Sequence, residues 1–306
     1  PLSKTEIKTL VDLAIKSSDP IERRKAFDRL LEEMKSDSFN YEQAMNIRIA
    51  MHQGGASGDQ WRTFDYAWGA NDPASAIKEI DNIPEQYRRG FTSNMLPGLA
   101  SVEPQTAIGI VEAMEGEMRQ QMTGRLIEGL ADYDVNFATD YVMDMAESGD
   151  PNIAQHMKRL AEEVMETTGL EGGLDWVESL EEGALQATAL RSVANEYANE
   201  RPEEAAKWAE QFIGNDQNSR IFGEIVREWG DQEAAAAWID SLITSPNLPV
   251  IVSLPLPIDK ITSTDKISPP TSVQAKPLVT PTKFFFSISL DLYFGMPKRF
   301  CKYLSF

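Results

Sequence analysis

The sequence predicts an all-α protein. An α-solenoid of about six helical hairpins, each of about 31 residues, is expected over residues 59–244, with an N-terminal helical cap over 1–58 and an irregular tail over 245–306. Three observations carry this expectation: a template that recurs six times, a helix-start signal ahead of it, and a change of composition after Leu242.

Internal repetition is the first of these. The segments ASAIKEIDNI, TAIGIVEAM, FATDYVMDM, GGLDWVESL, EAAKWAEQF and AAAAWIDSL share one pattern, with anchors at Ile80, Val111, Val142, Val177, Ala209 and Ile239. The anchors are spaced by 31, 31, 35, 32 and 30 residues. Four residues before each anchor sits Ala76, Ala107, Ala138, Gly173, Ala205 or Ala235, and three after it a large apolar residue. Those offsets lie on one stripe of an α-helix. A small side chain on that stripe lets a neighbouring helix come close. Before the last four anchors stand Tyr141, Trp176, Trp208 and Trp238. These read as core wedges; full burial of Trp208 would make its removal cost about 3–5 kcal/mol.

The start signals are Asp72-Pro73, Glu103-Pro104 and Arg201-Pro202, with Asp134 and Asp231 keeping the acidic position alone. Aspartate caps a helix N-terminus, and proline fits the first helical position, where its missing N–H has no intrahelical role. Upstream of each start lies a second apolar-periodic stretch: FDYAWGA, NMLPGLA, RLIEGLA, LAEEVME, SVANEYA and EIVREWG. Each unit therefore reads as helix, turn, capped helix, loop. Pro97 predicts a kink or an early end in the second unit. A lone hairpin buries too little to be stable, and stacking supplies the core.

The pattern WA…DP..A..W…L resembles that of uncharacterised bacterial helical-hairpin repeat proteins and, more broadly, the tetratricopeptide and HEAT class, over about residues 61–242. The chain lacks the Trp-Leu-Gly signature of the tetratricopeptide consensus, so that family's mode of peptide binding is not implied. The resemblance implies a protein-interaction scaffold, an inference from fold alone.

At the N-terminus, EIKTLVDLAIK and RRKAFDRLLEEMK are amphipathic, and Asp19-Pro20 repeats the start signal. They read as a cap of two or three helices. GGASG at 54–58 reads as a helix end followed by a loop, or as a hinge. Residues 245–306 hold nine prolines and no glutamate. Two readings stand: a disordered Pro/Ser/Thr tail, or sequence foreign to the domain through a reading-frame or assembly error. KFFFSISLDLYF within it alternates like a strand. Because the chain begins at Pro1 rather than Met, a preceding segment is expected to be missing or processed.

Of 29 basic and 48 acidic residues, 7 and 3 fall in 245–306, leaving 22 against 45 in residues 1–244, a balance of −23. Such a field repels nucleic-acid phosphates and anionic membrane surfaces. It suits a basic protein or peptide. No 18-residue apolar run predicts a membrane span. The single cysteine, Cys301, permits no intramolecular disulfide and no cysteine metal site, and is compatible with cytoplasm or periplasm.

No catalytic set, cofactor motif or metal-ligand set is legible. His52 and His156 read as structural or surface residues, with no second histidine or cysteine near either. Asp132-Asp134-Asn136 resembles the start of a calcium loop, but Phe137 and Met143 stand where the loop needs Gly and Glu. They read instead as a turn and helix cap. There is no phosphate-loop lysine motif and no GxSxG elbow. The carboxylates Glu162, Glu163, Glu166, Glu171, Asp175, Glu178, Glu181 and Glu182 read as a solvated face. Methionines 95, 114, 118, 122, 143, 145, 157 and 165 read as core filling, with a methionine-lined peptide groove as the alternative.

The expected function is a non-enzymatic scaffold for a protein or peptide, with no cofactor. The alternatives are an (α/α) toroid enzyme using carboxylates on carbohydrate, and a self-associating structural protein stacking through its uncapped last repeat.

Overall fold

The computed structural model describes residues 1–213 and 220–244, and every regular element among them is a helix. No described helix is long and apolar enough to cross a membrane. The tail at 245–306, with its strand-like segment, lies outside the described residues. The chain divides after Glu196 into two compact units.

The first unit opens with α1 (Lys4–Lys16), α2 (Pro20–Met34) and α3 (Tyr41–Gly54). Each start has a local cause. Ser3 and Glu6 form a reciprocal capping box, Asp19 accepts from Ile21 N ahead of Pro20, and Asn40 accepts from the amides of Glu42 and Gln43. α1 packs on both α2 and α3, burying Ile7, Val11, Leu30, Met34, Ile47 and Met51. At GGASG, Gly55 ends α3 with φ 77°, and Ser57 opens α4 (Gly58–Asn71) in a capping box with Gln60. Gln60 Nε2 also donates to Ala14 O at 3.0 Å, tying α4 to α1.

Long and short helices then alternate: α5 (Pro73–Asn82), α6 (Glu85–Ala100), α7 (Pro104–Glu112), α8 (Gly116–Tyr133) and α9 (Val135–Glu147). The short helices begin where expected, at Pro73, Pro104 and Val135, with Asp72 and Asp134 as side-chain caps. Glu103 makes no cap bond. The long helices pack in succession, α4 on α6, α6 on α8 and α8 on α10 (Ile153–Ser179), while α5, α7 and α9 lie against their long neighbours.

Glycines set that packing. A Cβ on Gly69 would lie 2.4 Å from Met95 O, one on Gly98 2.0 Å from Tyr66 O, and one on Gly129 2.2 Å from Pro97 O. The helices therefore meet backbone to backbone. Beside these contacts Ala76, Ala107 and Ala138 are fully buried, as are Val111 and Val142, whereas Ile80 and Tyr141 are half-buried.

Two expectations need correction. Helix α6 does not end early at Pro97; it continues to Ala100. Proline removes the N–H that would pair with Ser93 O, and Arg125 Nε of α8 donates to that carbonyl at 2.9 Å instead. The fourth expected hairpin shows no multi-residue turn between its arms. Its two arms run together as α10, bent only at Gly169 with φ 77° and ψ 179°. The arms pack tightly, since a Cβ on Gly173 would meet Met165 Sδ at 2.0 Å. Trp176 and Val177 are buried there, and the indole Nε1 donates to Thr139 Oγ1 at 3.0 Å.

Helix α11 (Ala184–Glu200) ends in the second unit, which continues with α12 (Pro202–Ala209), a 3-10 turn (Glu210–Phe212), α13 (Arg220–Glu228) and α14 (Gln232–Thr244). Ala205 and Ala235 are buried, with Trp238 and Ile239 beside the latter. Trp238 stacks on Phe222 at 5.9 Å and tilts against Trp229. Trp208 is half-buried, in contact with Tyr197 and Phe212, rather than a fully enclosed wedge.

Chemical denaturation followed by circular dichroism checks three consequences. Gly98→Ala is expected to destabilise by about 3 kcal/mol because backbone must move. Gly109→Ala, on an exposed helical site with nothing within 4 Å, is expected to stabilise by about 0.5–1 kcal/mol. Trp208→Ala is expected to cost about 2 kcal/mol, below the range for full burial.

Candidate functional site

Three helices of the first unit each turn one stripe into a common cleft of about 590 Å³. α3 contributes Met45, Arg48, Ile49 and His52; α4 contributes Trp61 and Asp65; α6 contributes Tyr87, Gly90, Phe91 and Asn94. The spacing of three, four or seven residues within each set is that of one helical face.

The floor is polar and closed to water. Asp65 is 3% exposed. Its Oδ2 accepts from Asn94 Nδ2 at 3.0 Å, while Oδ1 is buried without a hydrogen-bond partner. Burial pushes its carboxyl pKa up to about 7, against the opposing pull of the Asn94 bond and the Arg48 charge. Arg48 Nη1 is likewise buried without a hydrogen bond, its nearest carboxylate oxygen being Glu79 Oε1 at 3.9 Å. The guanidinium carbon lies 5.0 Å from the Phe91 ring centre and 5.9 Å from that of Trp61. Glu79 is held in turn by Tyr41, whose hydroxyl donates to Oε2 at 2.8 Å and whose own pKa this bond raises.

The rim is apolar and open. Ile49 is 45% exposed and Tyr87 56%. His52 stands beside them, exposed, and a Cβ on Gly90 would meet nothing within 4 Å. Behind the cleft, Phe64, Trp68 and Phe91 form an aromatic cluster, with ring centres of Trp68 at 5.7 Å from both others.

A second polar cluster is built from ion pairs between α8 and α10. Glu128, 3% exposed, pairs with Arg125 of its own helix and with Arg159 of α10 at 3.2 Å; Arg159 also reaches Glu163 at 3.1 Å. Asp132 accepts from Tyr66 OH at 3.0 Å, and burial pushes its pKa up to about 6 with help from the Glu166 charge.

None of the repeat positions from Ala76 to Ile239 lines the cleft. The calcium-like trio is dispersed: Asp134 caps α9, Asp132 meets Tyr66, and Asn136 is exposed. Of the carboxylates read as a solvated face, Glu163 departs from that reading and is buried against Arg159. None of the eight clustered methionines lines this cleft; its methionine is Met45. His156 is buried 3.8 Å from Asp150, and burial pushes its pKa down. The missed residues left one trace in sequence, a charge inside each of two apolar runs: Arg48 in NIRIAM and Asp65 in FDYAWGA.

No protein-family model matches the chain, and no curated protein or solved structure proves similar to it.

Asp65 makes stability pH-dependent. Unfolded, it titrates near about 3.9; folded, at about 7. Between those values the folded state binds a proton that the unfolded state has lost. Its contribution is therefore greatest below about pH 4, falls as pH rises towards about 7, and is flat beyond. Asp132 acts with the same sign over a narrower window. Asp65→Asn is expected to flatten this decline and to exceed the native chain in stability at pH 8 by on the order of 1–3 kcal/mol, with a difference about a third as large at pH 5. Urea titrations at the two pH values measure it.

Proposed function

We propose that the chain is a non-enzymatic scaffold that binds a protein or peptide segment in the cleft of α3, α4 and α6. Its hairpins α4/α5, α6/α7, α8/α9, the two arms of α10, α11/α12 and α13/α14 are the six repeats of an α-solenoid, and α1–α3 cap the first. The succession of long-helix contacts from α4 to α10 supports this stacking. One observation carries the binding assignment: two of the large apolar side chains that stand exposed, Ile49 and Tyr87, flank the same cleft, whose floor holds buried polar atoms without partners. The acidic balance of residues 1–244 favours a basic partner.

A catalytic reading has one specific observation behind it, a carboxyl that titrates near neutrality in a cleft. Carbohydrate hydrolysis by acid and base needs two facing carboxyls. Among the described residues that line the cleft, Asp65 is the one acidic group, so binding is the better account.

A photoreactive amino acid placed at Tyr87 tests the scaffold. In cells of the source organism it is expected to give a discrete protein adduct that the same probe at exposed Tyr133 does not. Identical adducts from both positions, or none from Tyr87, would overturn the assignment.

A further inference from the structure

We infer that the cleft receives one side-chain carboxamide, a glutamine or asparagine of a bound basic peptide, between Asp65 Oδ1 and Arg48 Nη1. This rests on reading the cleft as the scaffold's recognition site.

The floor offers one acceptor and one donor, both buried and both without a hydrogen-bond partner. Native proteins seldom leave such atoms unpaired, and a ligand that satisfies both gains where water cannot reach. The charges choose the ligand. A lysine or arginine side chain would answer Asp65 but lie against the Arg48 guanidinium. A glutamate or aspartate would answer Arg48 but lie against Asp65. A neutral carboxamide donates to the first and accepts from the second, with no like-charge contact.

Both partners are pre-oriented. Asn94 holds the other oxygen of Asp65. The Phe91 and Trp61 rings flank the guanidinium, and Glu79, fixed by Tyr41, lies 3.9 Å from the same Nη1, too far for a hydrogen bond, so both N–H groups of that nitrogen remain to be satisfied. The floor atoms are shielded from solvent, so the ligand reaches them by shifting the half-buried Trp61 indole beside the guanidinium. A terminal amide enters such a site at the end of its own alkyl stem, which Ile49 and Tyr87 cover at the rim. A backbone amide would have to bring both flanking residues in with it. Lysines elsewhere on the peptide stay outside, facing the acidic surface.

The test is calorimetric titration of the full chain at pH 7.5 with four acetylated, amidated Lys/Gly peptides that differ at one central residue: Gln, Glu, Lys or Gly. The Gln peptide is expected to bind about tenfold or more tighter than each of the others, with a change in tryptophan fluorescence. Asp65→Asn, whose amide turns an N–H towards the cleft while Asn94 keeps the oxygen, is expected to erase the preference for Gln. Arg48→Lys, which keeps the charge but loses the fixed fork, is expected to weaken the Gln peptide about tenfold. Circular dichroism establishes that each variant is folded, and the peptide series on the native chain decides the matter if one is not. Equal binding of the Gly peptide assigns the site to backbone amide and overturns the inference. Tightest binding of the Lys peptide, or no binding of the Gln peptide, overturns it as well. The cross-link from position 87 separates the two levels: a specific adduct without any Gln preference sinks this inference and leaves the scaffold standing.

Discussion

Gly69, Gly98 and Gly129 bring α4, α6 and α8 into backbone contact, and the rest of the first unit is arranged around that approach. With no side chain between them, the long helices have one workable separation. That separation fixes where the stripes on their outer faces lie. Trp61 and Asp65 on α4 come to face Phe91 and Asn94 on α6 because, further along the same helices, Gly69 lies against the Met95 backbone and Gly98 against that of Tyr66. The cleft is thus a product of packing elsewhere on the same rods. Its third wall, α3, is set by contacts of a different kind, the Tyr41 hydroxyl on Glu79 and the Tyr41 ring against Trp68 at 6.2 Å.

The same helices carry two buried polar groupings with opposite outcomes. Between α8 and α10, Glu128 pairs with both Arg125 and Arg159, and Arg159 also pairs with Glu163, so these charges are balanced within the protein. Arg125 also serves the carbonyl that Pro97 strands, and a single side chain thereby repairs a helix defect and anchors an ion-pair network. Between α3 and α4 the bonding stops short. Asp65 and Arg48 keep one buried polar atom each without a hydrogen bond, the Arg48 nitrogen standing 3.9 Å from Glu79 Oε1.

Local features of the chain were largely legible. Asp72, Asp134 and Asp231 cap helices because a carboxylate one residue ahead of a helix meets amides that no distant part of the fold alters. The alanines at 76, 107, 138, 205 and 235 are buried because a small residue on an apolar stripe has one use in a packed helix pair. Where the reading failed, a distant partner had intervened. Pro97 does not end its helix early, and Arg125, 28 positions away, donates to the carbonyl that the proline leaves without its amide. Gly169 closes a turn in one residue because its backbone adopts φ 77°, a freedom shared by every glycine and announced by none. Trp208 is half-buried, with Tyr197 and Phe212 against its ring, where its place on the stripe predicted full burial.

The cleft was the least legible part. Its walls come from positions 45 to 94 on three helices, and no two of its floor residues stand closer in sequence than Phe91 and Asn94. A charge inside an apolar run marks Arg48 and Asp65 as unusual but does not say that they share a floor. By itself the sequence determined the all-helical class, where most helices start and which small residues go inside, since periodicity and capping act over a few residues. Only the tertiary structure decided which helices touch, which buried charges find partners and where a ligand-sized opening remains, since those depend on distances between residues tens of positions apart.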